Sequence, residues 1–156
     1  MELILLRHGK AEDSNPDGDI ARELVKKGYE QAQTQALRLK QAGALPDIVL
    51  TSPYTRARQT AETFCEAADM PGPVVLGWIG CGMTPDTAMN ELLGYDEFSR
   101  VAIVGHEPDL SNLITCLLNM PSGSIKVRKG QMTCIKISPP ARGGILQYMA
   151  PPKLGH

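Results

Sequence analysis

The chain has 156 residues, 42% of them hydrophobic and only 4% aromatic, with a formal net charge of −1 and a pI of about 6.3. That length fits a single domain over residues 1–156, with an aliphatic core that needs neither disulfides nor a structural metal. The near-neutral balance excludes a nucleic-acid binder that works through a broad basic field, so an anion site must be a local cluster of cations.

The chain opens Met-Glu-Leu-Ile-Leu-Leu-Arg. This is too short and too acidic for a secretory leader, and no run approaches a membrane span. A cytoplasmic protein with no membrane contact is the expectation. Residues 3–6 are apolar without alternation, as in a strand buried on both faces. Arg7-His8-Gly9 ends that run, and a polar loop follows through Asn15, Pro16 and Gly18. Helical periodicity runs over 24–42, with Gly28 unfavourable inside it and Gly43 as the stop. A second buried strand is expected at 48–50, closed by Thr51-Ser52-Pro53, then a helix over 55–68 and a break at Pro71-Gly72-Pro73. A third strand at 74–76, a glycine-rich loop around Gly80 and Gly82, and a helix near 86–93 come next. The fourth strand, 101–104, ends at Gly105-His106, and a helix follows over 109–118. Two further strands, 132–137 and 145–149, form a hairpin or an edge addition.

Alternating strands and helices imply an α/β fold, a three-layer α/β/α sandwich with a mostly parallel sheet, helices on both faces and antiparallel C-terminal strands. Of the four cysteines, Cys65, Cys116 and Cys134 read as small buried hydrophobes, and Cys81, between glycines, as exposed. Their spacings match no zinc pattern, and reduced thiols are expected.

In open parallel sheets, ligands bind beyond the carboxyl ends of the strands. Arg7-His8-Gly9, Ser52-Pro53-Tyr54-Thr55-Arg56 and Gly105-His106-Glu107 all follow such ends. Parallel strands would therefore bring two arginines and two histidines to one edge. Arginine forks match phosphate oxygens and stay charged. Helix N-termini near Thr55 and Pro108 would add favourable dipoles. Gly9 and Ser52 are further candidates for the phosphate site: Gly9 as a place of close backbone approach, Ser52 as a donor or as a residue that shapes the turn before Pro53.

These three segments, in this order, resemble the histidine phosphatase superfamily, which includes the phosphoglycerate mutases. Arg7-His8-Gly9 after the first strand matches its signature. Ser52-Pro53-Tyr54-Thr55-Arg56-Ala57-Arg58-Gln59-Thr60-Ala61 matches its second motif, and Val104-Gly105-His106-Glu107-Pro108-Asp109-Leu110 surrounds its second histidine. The short chain and the Gly-His-Glu-Pro-Asp form look most like the SixA-type phosphohistidine phosphatases. The resemblance implies that His8 attacks phosphorus and carries the phosphoryl group, while Arg7, Arg56 and His106 hold its oxygens. It implies a metal-independent enzyme with no cofactor. It also implies a phosphohistidine-bearing protein as partner, of which a phosphotransfer domain is one kind, met by a monomer. His8 must then be neutral at the attacking nitrogen, with its other nitrogen fixed by a hydrogen bond the sequence does not identify.

Other charged residues read as structural. Arg58 lies two positions from Arg56 and so on another helix face. Arg22 is peripheral, Lys10 and Lys126 are solvated, and His156, at the last position, has no role. The mutase-like relatives supply an acidic residue as general acid. Asp86, Glu91 and Glu107 are the candidates here, none in a matching pattern, and no acid is assigned. Two other functions compete: hydrolysis of a small phosphate ester, and phosphohistidine binding without turnover.

Overall fold

The computed structural model describes residues 1–154, and His156 lies outside the described residues. Six strands form one sheet: β1 (Glu2–Arg7), β2 (Ile48–Thr51), β3 (Val74–Val75), β4 (Arg100–Gly105), β5 (Met132–Ile137) and β6 (Gly144–Ala150), in the order β3-β2-β4-β1-β5-β6. β1, β2, β3 and β4 run parallel, β5 runs antiparallel to β1, and β6 antiparallel to β5. The expected mostly parallel sheet with an antiparallel C-terminal addition is the one observed. β3 is shorter than the sequence suggests, two exposed valines on an edge, and Leu76 lies beyond it.

Side-chain alternation along β1 divides the core between the two faces. Leu3 and Leu5 join Leu50, Val101, Ile103 and Ile135 against helices α3 (Pro85–Leu92) and α4 (Asp109–Leu117). Ile4 and Leu6 join Val49, Ala102, Val104 and Cys134 against α1 (Lys26–Gln41) and α2 (Thr55–Ala67). Every β1 residue from 3 to 6 is buried, which explains an apolar run without alternation. Cys65 and Cys134 are buried as expected and Cys81 is exposed, but Cys116 is exposed too. The helical turn that buries Leu113, Ile114 and Leu117 points Cys116 outward.

α1 starts at Lys26, two residues later than its periodicity suggests. Leu24 instead pairs with Ala11 in an isolated antiparallel bridge and is buried there. Gly28 then sits in the first helical turn for a steric reason. A Cβ on Gly28 would stand 2.2 Å from the Lys10 carbonyl oxygen, and one on Gly9 would stand 2.5 Å from the Gly28 carbonyl oxygen. Two backbones touch here because neither residue has a side chain. That contact seats α1 against the residues that follow His8.

Gly28→Ala should cost about 1–3 kcal/mol, the usual size of overpacking. Gly72→Ala, where a Cβ would meet nothing within 4 Å, should stay within about 0.5 kcal/mol. Denaturant melts of the two variants make the comparison, and an unchanged Gly28→Ala midpoint would show that α1 can move off the loop.

Candidate active site

The ends of β1, β4 and β2 lie side by side because their registers align. Arg7 stands opposite Gly105, and Thr51 opposite Val104. One residue further on, the His8 N–H donates to the Gly105 carbonyl and the Ser52 N–H to the Val104 carbonyl, each at 3.1 Å. His8, Ser52 and His106 thus leave three adjacent strands at one level. Arg56 joins them from the first turn of α2. The four expected residues Arg7, His8, Arg56 and His106 do come together, with the two imidazole centroids 5.4 Å apart.

The His8 ring is held on both sides. Its Nδ1 lies 2.8 Å from the Gly9 carbonyl oxygen, so Nδ1 carries the proton and donates it. The other nitrogen, Nε2, keeps its lone pair, toward which Arg56 Nε–H points at 3.3 Å. Burial, against a weaker opposing pull from the Gly9 carbonyl, pushes the His8 pKa down to about 3. His106 lies at about 4, first through burial and then through the nearby Arg56 charge. Both rings are neutral at physiological pH.

Ser52 does both things its sequence context allowed. Its hydroxyl oxygen accepts from the Tyr54 N–H at 3.1 Å and sits 2.7 Å from His106 Nε2. The Ser52 O–H is free to donate to Nε2, and in that arrangement the His106 proton sits on Nδ1. Nδ1 is buried with no partner, and so is Arg7 Nε. Arg7 Nε–H is thus a buried donor without an acceptor, and His106 Nδ1 is a second when Ser52 donates to Nε2; such a pair suits an anion that brings its own oxygens. Arg7 Nη1 is anchored at 2.9 Å by the Val127 carbonyl. Burial pulls the Arg7 pKa down and Glu107 partly offsets it; a guanidinium so placed remains charged.

Gly9 faces α2 and α1 through its backbone. Its N–H is committed to Thr60 Oγ1 at 3.0 Å, and its missing side chain serves the contact with α1. The α4 N-terminus is also occupied, since Glu107 accepts the Ser111 N–H at 2.8 Å. Of the three acid candidates, Asp86 pairs with Arg142, Glu91 is exposed, and Glu107 caps α4 while its charge acts on Arg7. Arg58 is exposed and pairs with Glu62, and Arg22 holds the loop around Asp19.

Four contributors are not individually evident in the sequence. Thr60 accepts from Gly9 and donates to the Arg56 carbonyl at 2.7 Å, joining α2 to the residue after His8. An i, i+4 spacing from Arg56 was its only signal. The Tyr54 ring meets His106 edge-on at 4.9 Å and lies 5.1 Å from the Arg56 guanidinium carbon. Asp109, buried, accepts from the Gly82 and Met83 N–H groups and so places the loop that carries Cys81, whose Sγ is 3.9 Å from Arg56 Nη2. Asp19 comes from a polar loop with no periodicity to mark it. Its backbone carbonyl and Oδ2 take Arg56 Nη1 and Nη2 at 2.8 and 3.2 Å. Arg22 and then Arg56 hold its carboxyl below the usual range, so at neutral pH it is an anion and not a proton donor.

Because the Asp19 carboxylate pairs with Arg56 and offsets its charge, Asp19→Asn should tighten competitive inhibition by inorganic phosphate by about two- to fivefold, the size of an exposed ion pair. Weaker inhibition would mean that Asp19 aligns Arg56 rather than competing for it. The histidines make a second prediction. Both folded values lie below the ordinary 6.5, so between pH 6.5 and about 4 the unfolded chain binds more protons. Stability is therefore full above pH 6.5 and falls as the pH drops. Melting midpoints of His8→Asn should fall less steeply over that range than those of the wild type, and parallel slopes would contradict the buried neutral imidazole.

Residues 3–76 match the family model of the Histidine phosphatase superfamily (branch 1). An uncharacterized protein of Picosynechococcus sp. is 38% identical over 119 residues, 70% of this chain and 68% of that one. A 2,3-bisphosphoglycerate-dependent phosphoglycerate mutase of Leifsonia xyli is 40% identical over 80 residues, 49% of this chain but only 32% of the mutase. Among solved structures, the protein histidine phosphatase SixA complexed with tungstate superposes with a TM-score of 0.87 at 21% identity over 97% of both chains. The alpha-ribazole phosphatase from Shigella flexneri does so with a TM-score of 0.79 at 21% identity over 100% of this chain and 99% of that one. At those identities the likeness is one of fold. The sequence match runs from β1 through α2 and carries Arg7, His8 and Arg56 with it, and on that ground the chain belongs to the histidine phosphatase superfamily.

Proposed function

We propose that the chain is a metal-independent phosphatase that removes the phosphoryl group from phosphohistidine on a protein. His8 Nε2 attacks phosphorus as the substrate P–N bond breaks. Nδ1–H stays on the Gly9 carbonyl, so the developing imidazolium charge falls beside a carbonyl oxygen. Arg7, Arg56 and His106 Nδ1–H take the phosphoryl oxygens as charge builds. Water then attacks the same phosphorus, the P–Nε2 bond breaks, and inorganic phosphate leaves with His8 neutral again.

The observation that carries this reading is the fixed lone pair of His8 facing a guanidinium, next to two buried nitrogens without partners, Arg7 Nε and His106 Nδ1. Binding alone would need the arginines but not a nitrogen nucleophile held in one tautomer. The choice of phosphohistidine rests on the leaving group. An alkoxide needs a proton from a positioned acid, whereas an imidazole nitrogen is far less basic and can be protonated on its own ring. Asp86 is paired with Arg142, Glu107 holds the Ser111 N–H, Glu91 is exposed, and Asp19 is ionised. The likeness to the protein histidine phosphatase SixA supports the same choice.

The expected order of catalytic efficiency is phosphohistidine and simple phosphoramidates first, aryl phosphates next and sugar phosphates last, with an acid-labile phosphoryl adduct on His8. A positioned general acid is worth about 10²–10⁴-fold. Faster alkyl-ester cleavage, lost by that factor in Asp19→Asn, Asp86→Asn, Glu91→Gln or Glu107→Gln, would move the enzyme to small phosphate esters. An enzyme that binds phosphohistidine but takes no label on His8 would be a binding module.

A further inference from the structure

Beside the active site lies a cavity of about 540 Å³ lined by cations. Lys10 enters it from the loop after β1, Lys27 from α1, Lys126, Arg128 and Lys129 from the loop before β5, and Lys153 from the segment after β6. Arg7 lines it as well and is shared with the phosphate site. Among the described residues, Glu30 is its one acidic lining residue, and that carboxylate already faces Lys26. The distribution of ion pairs sharpens the contrast. Every Lys and Arg that makes a salt bridge among the described residues lies outside the cavity lining. Apart from Arg38 and Lys136, every Lys and Arg that makes none lines it. Among the described residues, a chain with net charge −1 has therefore gathered most of its cations without an ion-pair partner in one place.

The cavity is mechanically tied to His8. The Val127 carbonyl, between Lys126 and Arg128, accepts from Arg7 Nη1. The Gly130 N–H donates to both the Arg7 and His8 carbonyls at 3.1 Å. A molecule seated among these cations is thus within reach of the phosphate site through Arg7.

We propose that this cavity is the docking site for an acidic face of the phosphoprotein substrate, next to the phosphohistidine presented to His8. The inference rests on the phosphohistidine reading above and names the partner chemistry that reading leaves open. A small polyphosphorylated ligand would call for buried, fixed donors. Here, apart from Arg7 and the half-buried Arg128, the cations are exposed lysines on long stems, which suit dispersed carboxylates at a protein surface. A nucleic acid would call for a basic stripe with aromatic platforms, and none of the described residues that line this cavity is aromatic.

The test uses two phosphohistidine peptides of equal length, one flanked by Asp and Glu and one by Lys, with phosphoramidate as a substrate too small to reach the cavity. The wild type should favour the acidic peptide by about tenfold in kcat/KM at low ionic strength, through KM, and lose that preference as salt rises. The double variant Lys126→Glu/Lys129→Glu, changed only at exposed positions, should lose the preference while keeping its phosphoramidate kcat/KM. Short polyglutamate should inhibit the acidic peptide competitively and leave phosphoramidate turnover alone. Equal wild-type turnover of the two peptides, or inhibition by a short oligonucleotide but not by polyglutamate, would overturn the docking site and leave the phosphatase intact. Failure of the wild type on both peptides, with phosphate esters cleaved, would overturn the substrate reading itself.

Discussion

The bond from His8 Nδ1–H to the Gly9 carbonyl, 2.8 Å long, decides which nitrogen of the ring holds a lone pair. Its acceptor belongs to the very next residue, so the orientation of one peptide unit sets the tautomer. That unit is held through its own N–H, which Lys10 donates to Gln31 Oε1 at 2.9 Å. The peptide unit before it is fixed as well: Thr60 takes the Gly9 N–H, the Gly28 backbone lies against the Gly9 α-carbon, and the Gly130 N–H reaches the His8 carbonyl. Helix α2, helix α1 and the loop before β5 therefore all bear on one imidazole. A loosened contact in any of them would let the peptide rotate and would blur the distinction between the two ring nitrogens.

Burial and charge act on this ring in the same direction. Removing an imidazole from water disfavours its cation, and two guanidinium groups nearby disfavour it further. The same guanidinium groups favour an anion in the space between them. The site thus rejects a proton and attracts a phosphate by one arrangement of charge. Asp19, ionised and partly exposed, is the anion that this field holds within the chain itself.

Much of this was legible in the sequence because it depends on local pattern. The run at 3–6 reads as a buried strand, the alternation of elements reads as a parallel sheet, and parallel strands oblige Arg7, His8, Ser52 and His106 to meet at one edge. The rest depends on contacts between distant segments. Gly28 looked like a flaw in a helix until Lys10 was seen against it. Gly9 looked free to meet an anion, but Thr60, 51 residues on, holds its N–H. Asp19 sits in a loop whose composition says only that it is polar. The lysines beside Arg7 come from four separate stretches of chain, each unremarkable alone, and only the fold makes them neighbours.

β1 is the first strand in the chain and stands inside the sheet, between β4 and β5. Its partners begin at Arg100 and end at Lys136. While the polypeptide emerges from the ribosome, four apolar residues of β1 have no strand beside them until β4 has been made. β2 can dock on β3 sooner, but it too waits for β4 to join it to β1. Closing a loop that long costs entropy before any pairing repays it, so assembly of this sheet belongs to the slower, non-local kind of folding. During that interval the unpaired apolar strand that carries the nucleophile is open to mispairing.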